Sequence, residues 1–310
     1  MTFRTRFKDY FDLFRFSLGI LTCIAVLVAG FIVYVLKGNP TNFIEFFFNN
    51  GVLEWPGLVL GLLATLLLAS AIEAINDVYD VETDIANKRF DRPIARGAFS
   101  REYVRNLTSF FFIISVLIIA TLVLVYQVTI FLLLFTLFCV LVGIGYNYVK
   151  RTGFLGNMWV SIGYVAPLFI GFFLLKPNEE LIILNCLLIL VATFFLATGR
   201  EIIKDIQDYE GDLESQLNSL AVKIGPEKAG YVSMAFFVVA IINASLAGFF
   251  IYQNLIFWFL LAVLIMILSM TSYTILTEPP APGGKKARKY TRWSLWIALG
   301  AFFLGIFFIP

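Results

Sequence analysis

Three aspartates recur at one spacing in two places along this chain. Asp77, Asp80 and Asp84 lie in Glu73-Ala-Ile-Asn-Asp-Val-Tyr-Asp-Val-Glu-Thr-Asp84, and Asp205, Asp208 and Asp212 lie in Glu201-Ile-Ile-Lys-Asp-Ile-Gln-Asp-Tyr-Glu-Gly-Asp212. Each aspartate of the second copy falls 128 residues after its counterpart, and Glu201 follows Glu73 by the same offset. On a helix, steps of three and four residues put the three carboxylates in one stripe. Like charges stacked on one face repel, so such a stripe points to a bound cation. An all-oxygen donor set suits a hard divalent ion, Mg²⁺ above all, and two stripes facing each other would hold two. Asn76 adds a neutral oxygen ligand to the first stripe. Its counterpart Lys204 is suited to an anion instead. Glu73 and Glu201 lie deeper on the stripe side, where they either orient the ligands or pair with a nearby cation.

The elements that must position these stripes are membrane helices. A chain of 310 residues that is 60% hydrophobic and 14% charged is not a soluble globule. Its apolar runs reach the roughly 20 residues needed to cross a bilayer core. They predict about nine helices, near 16–36, 57–75, 106–125, 129–147, 157–175, 181–199, 231–251, 255–276 and 293–309. The expected fold is an all-α integral membrane protein, a single domain over 1–310 whose helices bundle around a central cavity. Helices 2–4 and 6–8 read as two parallel repeats, each led by one stripe. The first run is long and no small-residue cleavage site follows it, so it reads as a span rather than a signal peptide.

Charge gives the orientation. Of the 23 Lys and Arg, all but Lys37 and Lys176 fall at the amino terminus and in alternate loops. By the positive-inside rule, the amino terminus and both stripes are cytoplasmic and the carboxyl terminus is outside the cell membrane. Fourteen of the 21 acids lie between Glu73 and Glu102 or between Glu201 and Glu227, and ten of the basic residues fall in 76–105 and 200–230. Such mixing marks 76–105 and 200–230 as active-site segments that take a metal and an anion together. The chain has no histidine, which excludes His-ligated zinc and haem and any histidine general base. Cys23, Cys139 and Cys186 stand alone in apolar runs and read as small core residues.

Several local signals add to this frame. Residues 1–15 set Arg4, Arg6, Lys8 and Arg15 among aromatics, the pattern of an interfacial amphipathic helix on the cytoplasmic leaflet. Phe46, Phe47 and Phe48 are expected at the outer interface. Ser100 reads as the N-cap of helix 3, and Gly225-Pro226 as the start of helix 7. Pro167 is a kink candidate in helix 5. The stretch from Glu278 to Lys289, with its prolines and glycines, reads as a flexible basic linker.

Behind the first stripe stand Lys88, Arg89, Arg92 and Arg96, with Arg92 beside the rigid Pro93. Carboxylates, magnesium and guanidinium groups together describe a site for a metal-bridged diphosphate. Its place at the mouth of a helical bundle rich in phenylalanine implies a diphosphate with a long apolar tail, a prenyl diphosphate. Loss of the diphosphate would leave an allylic cation, sheltered from water and stabilised by ring quadrupoles until a lipophilic acceptor captures it. Nothing in the pattern calls for a nucleic acid or an obligate protein partner; membrane lipids surround the chain. The rival class is a cation-coupled transporter, in which acidic residues in repeated helices mark an ion path.

Asn76-Asp77-x-x-Asp80-x-x-x-Asp84, the following Arg92-Pro93-Ile94, and Asp205-x-x-Asp208-x-x-x-Asp212 resemble the two signature motifs of the UbiA family of intramembrane prenyltransferases. Tyr146-x-x-x-Lys150 resembles the third short motif of that family. The resemblance spans the chain and implies Mg²⁺-dependent transfer of a prenyl group from its diphosphate. By position it makes Asn76 and the six aspartates metal ligands, Arg92, Lys150 and Lys204 diphosphate-binding residues, and Asn76 and Tyr146 further substrate-binding residues. The stretches Lys150–Asn157 and Arg200–Asp212 look most like the archaeal branch, whose acceptor is geranylgeranylglyceryl phosphate. For that acceptor, Lys88, Arg89, Arg96 and Arg151 could bind the second phosphate. The segment Leu213–Leu220 departs from the threonine-leucine-proline pattern of that branch, and aromatic acceptors are the alternative.

Overall fold

Within a bilayer a backbone can satisfy its own N–H and C=O groups only as a helix or a closed barrel. The apolar runs of this chain fold accordingly. The computed structural model describes residues 3–86, 89–149, 152–214 and 217–309, and no strand occurs among them. The helices are α1 (Phe3–Leu13), α2 (Phe16–Leu36), α3 (Phe43–Phe48), α4 (Glu54–Ala86), α5 (Arg101–Val125) and α6 (Ile130–Val149). They continue with α7 (Phe154–Leu174), α8 (Glu180–Gln207), α9 (Tyr209–Glu214), α10 (Leu220–Ile224), α11 (Pro226–Ala247), α12 (Leu255–Thr277) and α13 (Pro280–Gly305). Nine of the described helices are long and apolar enough to cross a membrane, the number expected from the sequence. The chain divides into two units, one of Met1–Phe31, Asn42–Asn147 and Ile170–Lys176, the other of Ile32–Thr41, Tyr148–Phe169 and Pro177–Pro310.

In the first unit α4 lies along α5, and Ser115 Oγ donates to the Ala64 carbonyl at 2.8 Å. Such side chain to backbone bonds tie helices together where water is absent. Ser100 caps α5 by accepting the Tyr103 N–H, as its position predicted. The amphipathic helix expected at the amino terminus is α1, but it does not rest on the leaflet alone. Leu13 and Phe14, at its end, are buried with Ala74, Val81, Ile94 and Val104. A second difference concerns the aromatic patch. Asn42 caps α3 through the N–H groups of Ile44 and Glu45. That start turns Phe46 inward against Phe31 and Phe43, fully buried, while Phe48 stays exposed.

In the second unit α8 packs on α11 and α13, and α12 packs on α13. Ser233 Oγ donates to the Gly199 carbonyl at 2.9 Å. Helix α11 starts at Pro226, where a missing N–H costs nothing. A π-helical turn, Gly248–Tyr252, leads to Gln253 in the left-handed region, and Asn254 caps α12.

Two expectations in this unit are corrected. The stretch from Glu278 to Lys289 is not a flexible linker: from Pro280 onward it is the first part of α13, which the sequence placed at 293. Proline is tolerated in a first helical turn, and Lys286 Nζ pairs with Glu278 Oε1 at 2.6 Å. The glycines serve close approach rather than disorder, since a Cβ at Gly284 would sit 2.5 Å from the Gln207 Cα. The second stripe, in turn, is not carried by one helix. Helix α8 ends at Gln207, Asp208 caps it, and Asp212 belongs to α9. The Asp212 N–H still donates to the Asp208 carbonyl at 2.9 Å, so those two residues remain one turn apart.

Candidate functional site

The first stripe rides on one helix. Asp77, Asp80 and Asp84 all belong to α4, which runs past its apolar portion. Asp77 and Asp84 are buried and Asp80 is half-buried. Asp77 Oδ1 accepts from Arg15 Nη2 at 2.8 Å and from Arg92 Nη1 at 3.2 Å. Its other oxygen, Oδ2, is buried without a hydrogen-bond partner. Arg15 also pairs through Nη1 with Glu73 Oε2, so Glu73 takes the cation-paired role, from within α4 rather than at its end. Asn76 Oδ1 accepts from Asn147 Nδ2 at 3.2 Å. Tyr146 is half-buried on α6 beside Asn147. Lys88, Lys150 and Arg151 lie outside the described residues.

The segment behind this stripe is a compact turn. The Arg96 N–H donates to the Arg92 carbonyl at 3.0 Å and the Ala98 N–H to the Pro93 carbonyl at 2.9 Å. Ile94 is buried beneath it, and Gly97, at φ +78, ends the turn in a conformation that glycine adopts without strain. Arg92 and Arg96 therefore sit one helical turn apart. Arg96 Nη2 pairs with Asp9 Oδ1 at 2.5 Å and with Asp12 Oδ2 at 3.4 Å, both on α1. Arg89 Nη1 lies 3.6 Å from Asp84 Oδ1. Burial pulls the Arg15 guanidinium below its ordinary value against the opposing pull of Asp77, and an arginine so placed keeps its charge.

The second stripe has its own support. Asp205 Oδ2 accepts from Asn157 Nδ2 at 2.8 Å and from the Leu220 N–H at 3.0 Å. Two donors on one oxygen fix the carboxylate and leave Oδ1 for another partner. Glu201 is buried; its Oε1 accepts from Arg200 Nη1 at 2.9 Å and its Oε2 from Lys204 Nζ at 2.5 Å. Tyr164 accepts from Arg200 Nη1 at 2.6 Å and reaches Glu201 Oε1 at 3.3 Å. Asp208 stands exposed at the end of α8 with Gln207 Nε2 at 3.1 Å. Although its side chain reaches solvent, the surrounding protein strips part of its hydration, and this, then the neighbouring Asp212 carboxylate, push Asp208 above the usual carboxylate range.

Among the described residues no three acidic side chains converge closely enough to hold an ion by themselves. The donors nevertheless fit a hard cation: they are carboxylate oxygens, and Asp77 Oδ2 is a buried one lacking a partner.

A model of the UbiA prenyltransferase family matches residues 39–296. The chain belongs to the UbiA prenyltransferase family. Its helices make it a multi-pass UbiA membrane protein. It is 33% identical over 258 residues to the digeranylgeranylglyceryl phosphate synthase of Saccharolobus solfataricus, covering 82% of this chain and 86% of that one. The protein of the same name from Archaeoglobus fulgidus is 27% identical over 305 residues, covering 97% and 96%. A solved structure concerned with digeranylgeranylglyceryl phosphate synthase in membranes superposes with a TM-score of 0.77 at 21% identity, covering 98% of this chain and 99% of that one. A UbiA homolog from Archaeoglobus fulgidus bound to DMAPP and Mg²⁺ gives 0.63 at 17% identity, covering 95% and 99%. These two likenesses carry the UbiA fold.

Three residues beside the UbiA motifs escaped the sequence reading. Arg15 reads as an interfacial anchor, yet its partners are Glu73 and Asp77. Asn157 stands in the apolar run Phe154–Val160, where a buried amide demands a partner; that was the available signal. Tyr164 carried none.

Proposed function

We propose that this chain transfers a prenyl group, in a Mg²⁺-dependent reaction, from a prenyl diphosphate to a lipophilic acceptor, and that the pair is geranylgeranyl diphosphate and geranylgeranylglyceryl phosphate. The observation that carries the reading is Asp77: a buried carboxylate on a repeated acidic stripe, with one oxygen unpartnered and arginines on the other. The archaeal relatives bearing the synthase name support the choice of acceptor.

Asn76, Asp77, Asp80 and Asp84 are assigned to magnesium in the first unit, and Asp205, Asp208 and Asp212 in the second, with two ions in all. Arg92, Lys150 and Lys204 are assigned to the diphosphate, and Asn76 and Tyr146 to substrate binding more broadly. When bound, magnesium supplies positive charge against the charge that builds on the diphosphate as the allylic C–O bond breaks. Arg92 holds a diphosphate oxygen and orients the leaving group. Asn157 and the Leu220 N–H keep Asp205 in one rotamer. The apolar helices keep water from the allylic carbon. The acceptor hydroxyl attacks that carbon, the new ether C–O bond forms, the diphosphate departs with the bonding pair, and the hydroxyl proton is released.

The reading also takes 1–310 as one catalytic domain, with 76–105 and 200–230 as its active-site segments. It places the chain in the cell membrane with its amino terminus and site cytoplasmic and its carboxyl terminus outside, which the distribution of Lys and Arg supports. The test is turnover in detergent with labelled geranylgeranyl diphosphate and Mg²⁺, offering geranylgeranylglyceryl phosphate and an aromatic acid in parallel. Product from the glycerol phosphate is expected. Product from the aromatic acid alone would keep the chemistry and overturn the acceptor.

A further inference from the structure

The first unit holds a cavity of about 660 Å³ between α1 and the turn behind the first stripe. Lys8, Arg15, Arg92 and Arg96 line it, with only Asp12 and Asp91 as acids. Ligand sites commonly span roughly 300–1,000 Å³, so the space suits a headgroup with part of its chain. We propose that this cavity seats the phosphate monoester of the lipid acceptor, bound by Lys8, Arg15 and Arg96. The assignment rests on the prenyl-transfer reading above and names where its second substrate docks.

Three observations carry it. The cations come from separate segments, α1, the turn after it and the Arg92–Gly97 turn, and they converge on one space. Arg96 is aimed by its neighbours: its Nη2 is held by Asp9 and, at 3.4 Å, Asp12, and its Nη1 donates to the Asp91 carbonyl at 2.7 Å. A guanidinium has five N–H donors, so these three ties leave donors for a phosphate. Lys8 is exposed and, among the described residues, has no carboxylate partner.

The cavity also has the right neighbour. Arg15 lines it and touches Asp77 at 2.8 Å, so a phosphate seated there lies beside the first stripe. In a glycerol phosphate the attacking hydroxyl sits only two carbons from the phosphoester oxygen. Binding the phosphate here therefore brings the nucleophile close to the stripe. Phe11 and Phe90 line the same cavity and are exposed, which gives apolar contact to the chain that follows the headgroup. A free phosphate would have no use for them; a lipid phosphate does.

The test uses the full chain in nanodiscs of neutral lipid. Displacement of labelled geranylgeranylglyceryl phosphate is measured with inorganic phosphate, with geranylgeranylglycerol, and with phosphatidylglycerol added to the disc, and acceptor and diphosphate KM are measured in parallel. Lys8→Gln should raise the acceptor KM about three- to tenfold and leave the diphosphate KM within about twofold. Arg96→Lys, which keeps the charge that holds α1, should do the same. Geranylgeranylglycerol should bind the wild type and both variants alike. An unchanged acceptor KM, or equal weakening with the dephosphorylated lipid, would overturn the site. Equal displacement by inorganic phosphate would assign the cavity to a free anion, and equal displacement by phosphatidylglycerol to a general membrane anchor; either overturns the proposal. Wild-type turnover with unaffected variants removes only this site, whereas absence of wild-type turnover with every acceptor removes the functional reading as well.

Discussion

Arg15 donates from Nη2 to Oδ1 of Asp77 at 2.8 Å across 62 residues of sequence. A cation from the amino-terminal turn thus rests on the most buried carboxylate of the first stripe. On the proposed assignment of Asp77 to magnesium, Arg15 and the ion compete for that carboxylate.

Arg15→Gln removes that competitor and leaves Glu73 and Asp77 short of a partner. Breaking a buried pair costs about 3–5 kcal/mol; with the Arg15 side chain 28% exposed, the loss should fall near 1–3 kcal/mol. Thermal unfolding without metal should show the loss. Added Mg²⁺ should restore more stability to the variant than to the wild type, because it replaces the missing charge. Equal metal responses in the two proteins would contradict the competition.

Asn157 holds Asp205 through the oxygen that the Leu220 N–H also binds. Removing a residue that orients a metal ligand typically costs 10- to 100-fold in metal affinity or activity. Asn157→Ala should raise the Mg²⁺ concentration for half-maximal turnover by about that factor, with the maximal rate recovered at high Mg²⁺. A loss of maximal rate with unchanged Mg²⁺ dependence would assign Asn157 to some other role.

The glycines of α13 are not equivalent. A Cβ at Gly284 would lie 2.5 Å from the Gln207 backbone, while one at Gly300 would meet nothing within 4 Å. Gly284→Val should destabilise by about 1–3 kcal/mol, the usual cost of overpacking. Gly300→Ala should be neutral or slightly stabilising through helix propensity. Thermal unfolding of both variants checks the difference, and equal melting temperatures would disprove the close approach.

Much of this was readable in the sequence because it is local. Hydropathy alone gave the nine spans. Ser100, Pro226 and the single-helix placement of Asp77, Asp80 and Asp84 follow from residue type and spacing. What failed depends on tertiary contact. Pro280, Gly283 and Gly284 read as a linker by composition, yet they form the start of α13, where Gly284 closely approaches Gln207 at the end of α8. Asp208 fits a helical stripe by spacing, yet α8 stops there, where α13 packs against Gln207. Arg15 and Asn157 find their carboxylates 62 and 48 residues away, beyond any local pattern.

The central claim is that both acidic stripes are needed for Mg²⁺-dependent prenyl transfer. Its most direct test is the rate of product formation from labelled geranylgeranyl diphosphate and geranylgeranylglyceryl phosphate at saturating Mg²⁺, for wild type, Asp77→Ala and Asp208→Ala, with thermal unfolding to show that each variant is folded. The account predicts a loss of about 100-fold or more in each folded variant. Wild-type rates in either folded variant would contradict it.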